Sequence, residues 1–261
     1  MRAAERPPLQ MERLARLSHH IVPVAAESEF TGDPFPAGRV PAGTIAIYGQ
    51  PTSRVVKVIW MCAELDLPWE QATGFAFRKE PWALALNPKG TVPFIRDGDL
   101  VLNESNTIVA YLCNKYAGPD SGLYPSTPEQ LAIAWQWMEF GETFIVPRTN
   151  PVFFGVVRKS YAPSLNRPGE VPTAEEIAAA APGCRRAFDV LEERLSTCAY
   201  VGGATFSMAD VPCAIQANRL VGNNGFGLQE LALTHFPHIC AWHAKLCLRP
   251  AFVAQVKDRF N

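Results

Sequence analysis

Residues 87–108 read NPKGTVPFIRDGDLVLNESNTI, and they contain the clearest structural signals in the first half of the chain. Its two apolar runs are joined by Asp97-Gly98-Asp99, a strong signal for a hairpin turn. Ser105 follows the second run and can cap a helix of sequence SNTIVAYLCNKY. The stretch therefore predicts a strand, a tight turn, a second strand and a helix.

The residues before this stretch alternate between strand and helix patterns. TIAIYG, from Thr44, predicts a strand that Gly49 and Pro51 end. SRVVKVIWMCAEL, from Ser53, is apolar on most sides and predicts a buried helix that Pro68 ends, and WEQATGF predicts a second strand. The order strand, helix, strand, short helix, hairpin, helix predicts a mixed sheet whose first two strands are parallel through a right-handed crossover.

The pattern changes along the chain and divides it into four segments. Residues 1–43 contain six prolines and mixed charges, and we expect a poorly ordered extension. Residues 44–118 form the predicted α/β domain, and 119–127 are rich in Gly, Pro and Ser, as in a linker. Every periodic segment in 128–261 is helical, so the fold class is α/β followed by all-α.

The composition excludes several classes of function. With 261 residues and a net charge of −1, the chain lacks the basic patch that nucleic-acid binding needs, and no apolar run is long enough for a membrane span. Seven scattered cysteines without a C-x-x-C pair predict free thiols in a reducing compartment, the cytoplasm. The five histidines show no metal-ligand spacing, so we expect no metal.

Val92-Pro93 is the first of three places that could contact a ligand. An X-Pro bond is the only peptide bond that adopts the cis form at modest cost. At the start of a hairpin strand, a cis bond would turn the Val92 N–H and C=O outward, toward an extended peptide. The alternative is an ordinary proline on an edge strand.

The other two places are predicted helix starts. Ser105 offers a hydroxyl at the positive end of a helix, which suits a carboxylate, and Glu104 offers an anion for an ammonium. Thr52 and Ser53 precede the first helix, where hydroxyl and N–H donors would stabilise a thiolate. The alternative at both starts is a helix cap without a ligand.

Together these places suit a γ-glutamyl-cysteinyl peptide, in the order thiol, backbone, glutamyl end. With the motifs N-P-x-G-x-V-P and E-S-N-x-I-x-x-Y-L, the sequence over about residues 44–258 resembles the soluble two-domain glutathione transferase family. The resemblance implies a thioredoxin-like mixed-sheet domain followed by an all-helical domain. It also implies that Val92, Pro93, Glu104 and Ser105 bind glutathione.

The resemblance implies an enzyme that activates the glutathione thiol for attack on a small hydrophobic electrophile. Glutathione is then the co-substrate, no metal is needed, and a cytoplasmic homodimer is expected. Conjugation is one of several activities on this scaffold. The alternatives are a β-etherase, dehalogenase, isomerase or peroxidase, or a non-catalytic binding or assembly module.

Two assignments stay open at the level of sequence. Either Ser53 or Thr52 can be the activating hydroxyl, since neither a tyrosine nor a cysteine stands at this place. The glycine carboxylate of glutathione needs a cation, for which Arg78, Lys79 and Lys89 are all candidates.

One motif of the helical domain predicts a folding element. In Ser207-Met208-Ala209-Asp210, the side chains of Ser207 and Asp210 can each accept a hydrogen bond from the other's backbone N–H, which is a capping box. The resemblance implies that this is the structural capping motif of the family's helical domain.

Overall fold

The computed structural model describes residues 32–51, 53–158 and 171–257, without the side chains of Val157 and Arg158. The chain divides into two units. The first comprises the described residues up to Tyr116 together with Pro250–Gln255, and the second comprises Ala117–Arg249 and the residues from Val256 on.

The first unit is built on a four-stranded mixed sheet in the order β2-β1-β3-β4. β1 pairs parallel with β2 and antiparallel with β3, and β3 pairs antiparallel with β4. This arrangement confirms the predicted thioredoxin-like sheet. The strands are β1 (Ile45–Tyr48), β2 (Trp69–Ala72), β3 (Phe94–Asp97) and β4 (Leu100–Asn103).

The helices of the first unit are α1 (Val55–Glu64), α2 (Pro81–Leu86) and α3 (Ser105–Tyr116), with a 3₁₀ turn at Ala76–Lys79 before α2. Nearly every residue of α1 is buried, which agrees with its apolar sequence.

The second unit is helical, as predicted. Thr173 and Glu176 form a reciprocal capping box at the start of its longest helix. Its helices are α4 (Pro128–Phe140), α5 (Val146–Val152), α6 (Ala174–Thr197), α7 (Asp210–Gly222) and α8 (Pro237–Leu246), with π-helical segments at Gly141–Ile145 and Phe153–Arg158. None of the helices in the described ranges is both long enough and apolar enough to cross a bilayer.

The last helix, α9 (Pro250–Gln255), belongs to the first unit, and here the division differs from the predicted helical domain of 128–261. Phe252 is fully buried, and its ring packs edge-on against Trp60 of α1 with the centroids 5.0 Å apart. A helix of six residues does not show in its own sequence which surface it covers, because its apolar residues fit more than one partner.

Residues 32–43 also differ from the expectation of a poorly ordered extension, whereas residues 1–31 lie outside the described residues. Phe35 is buried against Tyr48 of β1, with an edge-to-face centroid distance of 5.5 Å. The Asp33 carboxylate accepts hydrogen bonds from Tyr48 Oη (2.7 Å), the Phe35 N–H (2.9 Å) and Arg96 Nη2 (2.9 Å). Burial and the neighbouring carboxylate raise the pKa of Tyr48, so its phenol stays a donor.

Replacing Asp33 with asparagine is expected to lower the free energy of unfolding by about 2 kcal/mol, because a charge-assisted acceptor of three donors is lost. Asp99, in the exposed turn of the hairpin, provides the matched control, and its replacement with asparagine should change stability by less than about 0.5 kcal/mol. Denaturant unfolding measures both changes. Equal stability of the two variants would show that Asp33 does not hold this segment.

The predicted capping motif is present with one difference. Asp210 Oδ2 accepts a hydrogen bond from the Ser207 N–H at 3.0 Å, as expected. Ser207 Oγ accepts from the Ala209 N–H at 3.3 Å, whereas the Asp210 N–H donates to the Ser207 carbonyl. In addition, Asp210 Oδ1 accepts from the Val201 N–H at 2.8 Å, so this carboxylate joins the helix start to the preceding loop.

Candidate functional site

The loop between β1 and α1 contains the candidate thiol-activating hydroxyls. Ser53 lies in this loop, two residues before α1 begins at Val55, and Thr52 lies outside the described residues. Ser53 Oγ donates a hydrogen bond to the Gln50 carbonyl at 2.7 Å and accepts one from the Val55 N–H at 3.3 Å. The hydroxyl proton is therefore held by the backbone and must rotate away from Gln50 before it can be donated to a ligand.

Gly49 brings this loop against the segment that precedes β3. Its φ is 130°, and a Cβ built on it would lie 2.7 Å from both Val55 Cγ2 and Val92 Cβ. Only a residue without a side chain fits between these two segments. Gln71 of β2 is fully buried, and its Nε2 donates to the Gly49 carbonyl at 2.8 Å, which helps to fix the position of Gly49.

The segment before β3 presents the backbone of Val92. The Val92–Pro93 peptide bond is cis. The preceding loop is held by the buried Asn87, whose Nδ2 donates to the Thr91 carbonyl at 2.8 Å. A turn in which the Gly90 N–H donates to the Asn87 carbonyl at 2.9 Å closes the loop. This accounts for the N-P-x-G spacing, because asparagine and glycine build the loop that carries Val92.

The start of α3 contains the second pair of candidate residues. Glu104 has a φ of 69°, and its carbonyl accepts from the Ile108 N–H at 2.9 Å, so the helix begins at Ser105. Ser105 is 5% exposed, whereas the Glu104 side chain is 55% exposed. Glu104 forms an ion pair with Lys89, which is one of the three candidate cations for the glycine carboxylate.

The other two candidate cations lie in the 3₁₀ turn before α2. Arg78 lies over the ring of Phe75, with its guanidinium carbon 5.5 Å from the centroid, and Lys79 is exposed. Lys89 therefore pairs with the residue before α3, whereas Arg78 and Lys79 lie in the turn before α2.

Lys57 is a residue of this region that sequence reasoning missed. It lies on α1, is 1% exposed, and its Nζ donates to Ser105 Oγ at 3.4 Å and to Asn106 Oδ1 at 3.2 Å. The sequence signal was a lysine inside the apolar run VVKVIW. Gly49 and Lys57 thus connect all three candidate places through direct contacts within one unit.

The described part of the chain contains no group of three His, Cys, Asp or Glu that could hold a metal ion. The donors are hydroxyls, backbone amides and two helix starts, with ammonium and guanidinium groups nearby. Such a set suits an anionic, peptide-like ligand that is extended along the edge between α1, Val92 and α3.

A thioredoxin-like unit with these three connected places, followed by a helical unit, defines a two-domain class of protein with a peptide-like ligand. Residues 47–120 match the family "Glutathione S-transferase, N-terminal domain", and residues 141–250 match "Glutathione S-transferase, C-terminal domain". The chain therefore belongs to the glutathione S-transferase family, and it is a glutathione transferase with glutathione as co-substrate.

Similar proteins come from both plants and bacteria. A glutathione S-transferase of Hyoscyamus muticus is 33% identical over 202 residues, which are 76% of this chain and 90% of that protein. Glutathione S-transferase GstB of Escherichia coli (strain K12) is 30% identical, over 79% of this chain and 95% of its own. The theta class glutathione S-transferase of Xanthomonas axonopodis pv. citri with glutathione bound is similar in structure, with 30% identity and a TM-score of 0.71 over 83% of this chain and 99% of its own.

Proposed function

We propose that the protein binds glutathione along Ser53, Val92 and Ser105 and activates its thiol for attack on a small hydrophobic electrophile. The observation that carries the proposal is the contact of Gly49 with both Val55 and Val92, together with the hydrogen bond from Lys57 to Ser105. These contacts link the loop before α1, the segment of Val92 and the start of α3 within one unit, which supports a single glutathione molecule that spans all three.

Each part of glutathione has a partner in this complex. The loop before α1, with Ser53 or Thr52, stabilises the thiolate, because hydroxyl and N–H donors and the helix dipole favour the charged form. Val92 pairs with the cysteinyl backbone. Ser105 and the first turn of α3 bind the glutamyl carboxylate, and Glu104 binds its ammonium.

The glycine end of glutathione takes a cation from the turn before α2. Arg78 and Lys79 lie in that turn, whereas Lys89 lies beside Glu104 at the start of α3, where the glutamyl end is proposed to bind. In the reaction, the thiolate sulfur forms a bond to an electrophilic atom. The bond from that atom to its leaving group, or to its neighbour in a ring that opens, breaks and gives its electron pair to the departing atom. The protein contributes the lowered thiol pKa and the orientation of the two reactants.

The experiment that tests this function is a titration of the bound thiol by ultraviolet absorbance of the thiolate. We expect a pKa below that of free glutathione, together with conjugation of an aromatic halide. A non-catalytic module would be retained on immobilised glutathione without lowering the thiol pKa and without turnover. Absence of glutathione binding would overturn the proposal.

Replacing Ser53 with alanine is expected to lower kcat/KM by about tenfold to a hundredfold, the loss of one hydrogen bond to a charged group. Glutathione affinity should stay near that of the wild type, because the other subsites remain. Thr52→Val is the matched variant, and the larger loss in kcat/KM identifies the activating hydroxyl. If neither variant loses activity, the thiolate is held by backbone N–H groups and the helix dipole.

We also propose that the protein forms a homodimer in the cytoplasm. The kinship with other glutathione S-transferases supports the dimer, and the seven cysteines, all free in the structure, support a reducing compartment. Sedimentation at micromolar concentration is expected to give twice the chain mass of 28.7 kDa. A species of the chain mass alone would contradict the dimer.

A further inference from the structure

Lys57 is a charged side chain in an apolar position. It lies on α1 with 1% exposure, and its ammonium lies against the first two residues of α3. Removing an ammonium from water is costly unless the protein replaces the lost hydration with hydrogen bonds. A leucine or methionine would fill the same place in α1 without that cost, so the charge calls for a reason beyond packing.

The direction of the hydrogen bonds defines what Lys57 does to Ser105. An ammonium can only donate, so Ser105 Oγ accepts from Lys57. A hydroxyl has one proton and two lone pairs. With one lone pair facing Lys57, the Ser105 proton is directed to another acceptor.

The position of the charge also matters for an anion at this place. The start of α3 already presents the positive end of a helix of 12 residues. The ammonium of Lys57 adds a positive charge on the buried side of this helix start, where solvent screens little. The field at Ser105 thus favours a carboxylate more than the helix start alone.

We infer that Lys57 is a positioning residue for the glutamyl α-carboxylate of glutathione. It orients the Ser105 hydroxyl toward that carboxylate and supplies the buried positive charge that the carboxylate faces. This inference rests on the proposed function, since it concerns the same ligand. In this arrangement, the positive charge that favours the carboxylate comes from α1, and the loop before the same helix stabilises the glutathione thiolate.

If Lys57 only joined α1 to α3, its replacement would weaken the binding of ligands with and without the glutamyl α-carboxylate equally. The test therefore compares two such ligands. The two ligands are glutathione and 4-aminobutyryl-cysteinyl-glycine, which lacks only the glutamyl α-carboxylate. We expect Lys57→Met to weaken glutathione binding by about tenfold or more, the loss of one charge-assisted contact. Binding of the analogue should change by less than about twofold. Titration calorimetry measures both ligands.

Three further variants make the test specific. Lys57→Arg keeps the charge and should retain most of the preference for glutathione over the analogue. Lys115→Met removes a lysine of α3, ten residues and about 15 Å along that helix from Ser105, and should leave that preference unchanged. In a Ser105→Ala background, Lys57→Met should have a smaller effect than in the wild type, because the two residues act on one carboxylate.

The outcomes separate the inference from the function. If the wild type binds glutathione and Lys57→Met weakens both ligands equally, or neither, the inference is overturned and the proposed function stands. If the wild type does not bind glutathione, both are overturned. Should Lys57→Met fail to fold, Lys57→Gln, which keeps a donor without the charge, gives the same comparison.

Discussion

Replacing Gly49 with alanine is expected to weaken glutathione binding by about a hundredfold or more. At a φ of 130°, a residue with a side chain is strained. The added Cβ would also lie 2.7 Å from Val55 Cγ2 and Val92 Cβ, closer than van der Waals contact allows. The loop before α1 and the segment before β3 must then move apart, and in the proposed complex these hold the thiol and the backbone of one ligand.

Gly43 provides the matched control for backbone strain. Its φ is 81°, but a Cβ built on it meets no atom within 4 Å. Gly43→Ala should therefore lose stability without a change in glutathione affinity beyond about twofold. Calorimetry of both variants with glutathione, together with their thermal unfolding, gives the comparison. Normal affinity in a folded Gly49→Ala variant would show that the two segments do not share a ligand.

Replacing Asp210 with alanine is expected to lower the free energy of unfolding of the helical unit by about 3–5 kcal/mol. The carboxylate is fully buried and accepts hydrogen bonds from the N–H groups of Val201 and Ser207. Without it, both buried N–H groups lose their acceptor, and each costs about 1–3 kcal/mol. Ser207→Ala removes one longer hydrogen bond and should cost only about 1 kcal/mol.

The effect of Asp210 is expected to depend on pH. Burial raises its pKa to about 7, although the two backbone N–H groups partly oppose the shift, whereas a free aspartate has a pKa of 3.8. The folded protein therefore retains a proton that the unfolded chain releases between these values. The stabilising contribution is complete below about pH 4 and is lost as the pH rises through about 7. Denaturant unfolding should show a larger difference between wild type and Asp210→Ala at about pH 5 than at about pH 8, and an equal difference would contradict the raised pKa.

The order of strands and helices in the first unit could be predicted from the sequence because its signals are local. The turn at Asp97-Gly98-Asp99, the apolar runs on both sides and the helix start at Ser105 all lie within a few residues of the elements that they define. The resemblance carried by the same stretch predicted the thioredoxin-like fold and the family. The motifs N-P-x-G-x-V-P and E-S-N-x-I-x-x-Y-L in this stretch were also enough to predict Val92, Glu104 and Ser105 as candidate site residues.

The candidate site as a connected surface could not be predicted, because its contacts join residues far apart in the chain. Lys57 meets Ser105 across 48 residues, and Arg96 meets Asp33 across 63. The local pattern showed only a lysine in an apolar helix and an acid in a proline-rich segment. Which distant residue each of these side chains contacts depends on the twist of the sheet and on the packing of the helices against it.

The elements, their order and the family follow from short segments of sequence, since turn residues, helix starts and apolar periodicity act over short distances. Three contacts are visible only in the folded protein: Gly49 lies between Val55 and Val92, Lys57 donates to Ser105, and α9 belongs to the first unit. Hydrogen bonds and close packing join residues that are distant in the sequence, and these interactions stabilise the protein only when the fold has brought their partners together.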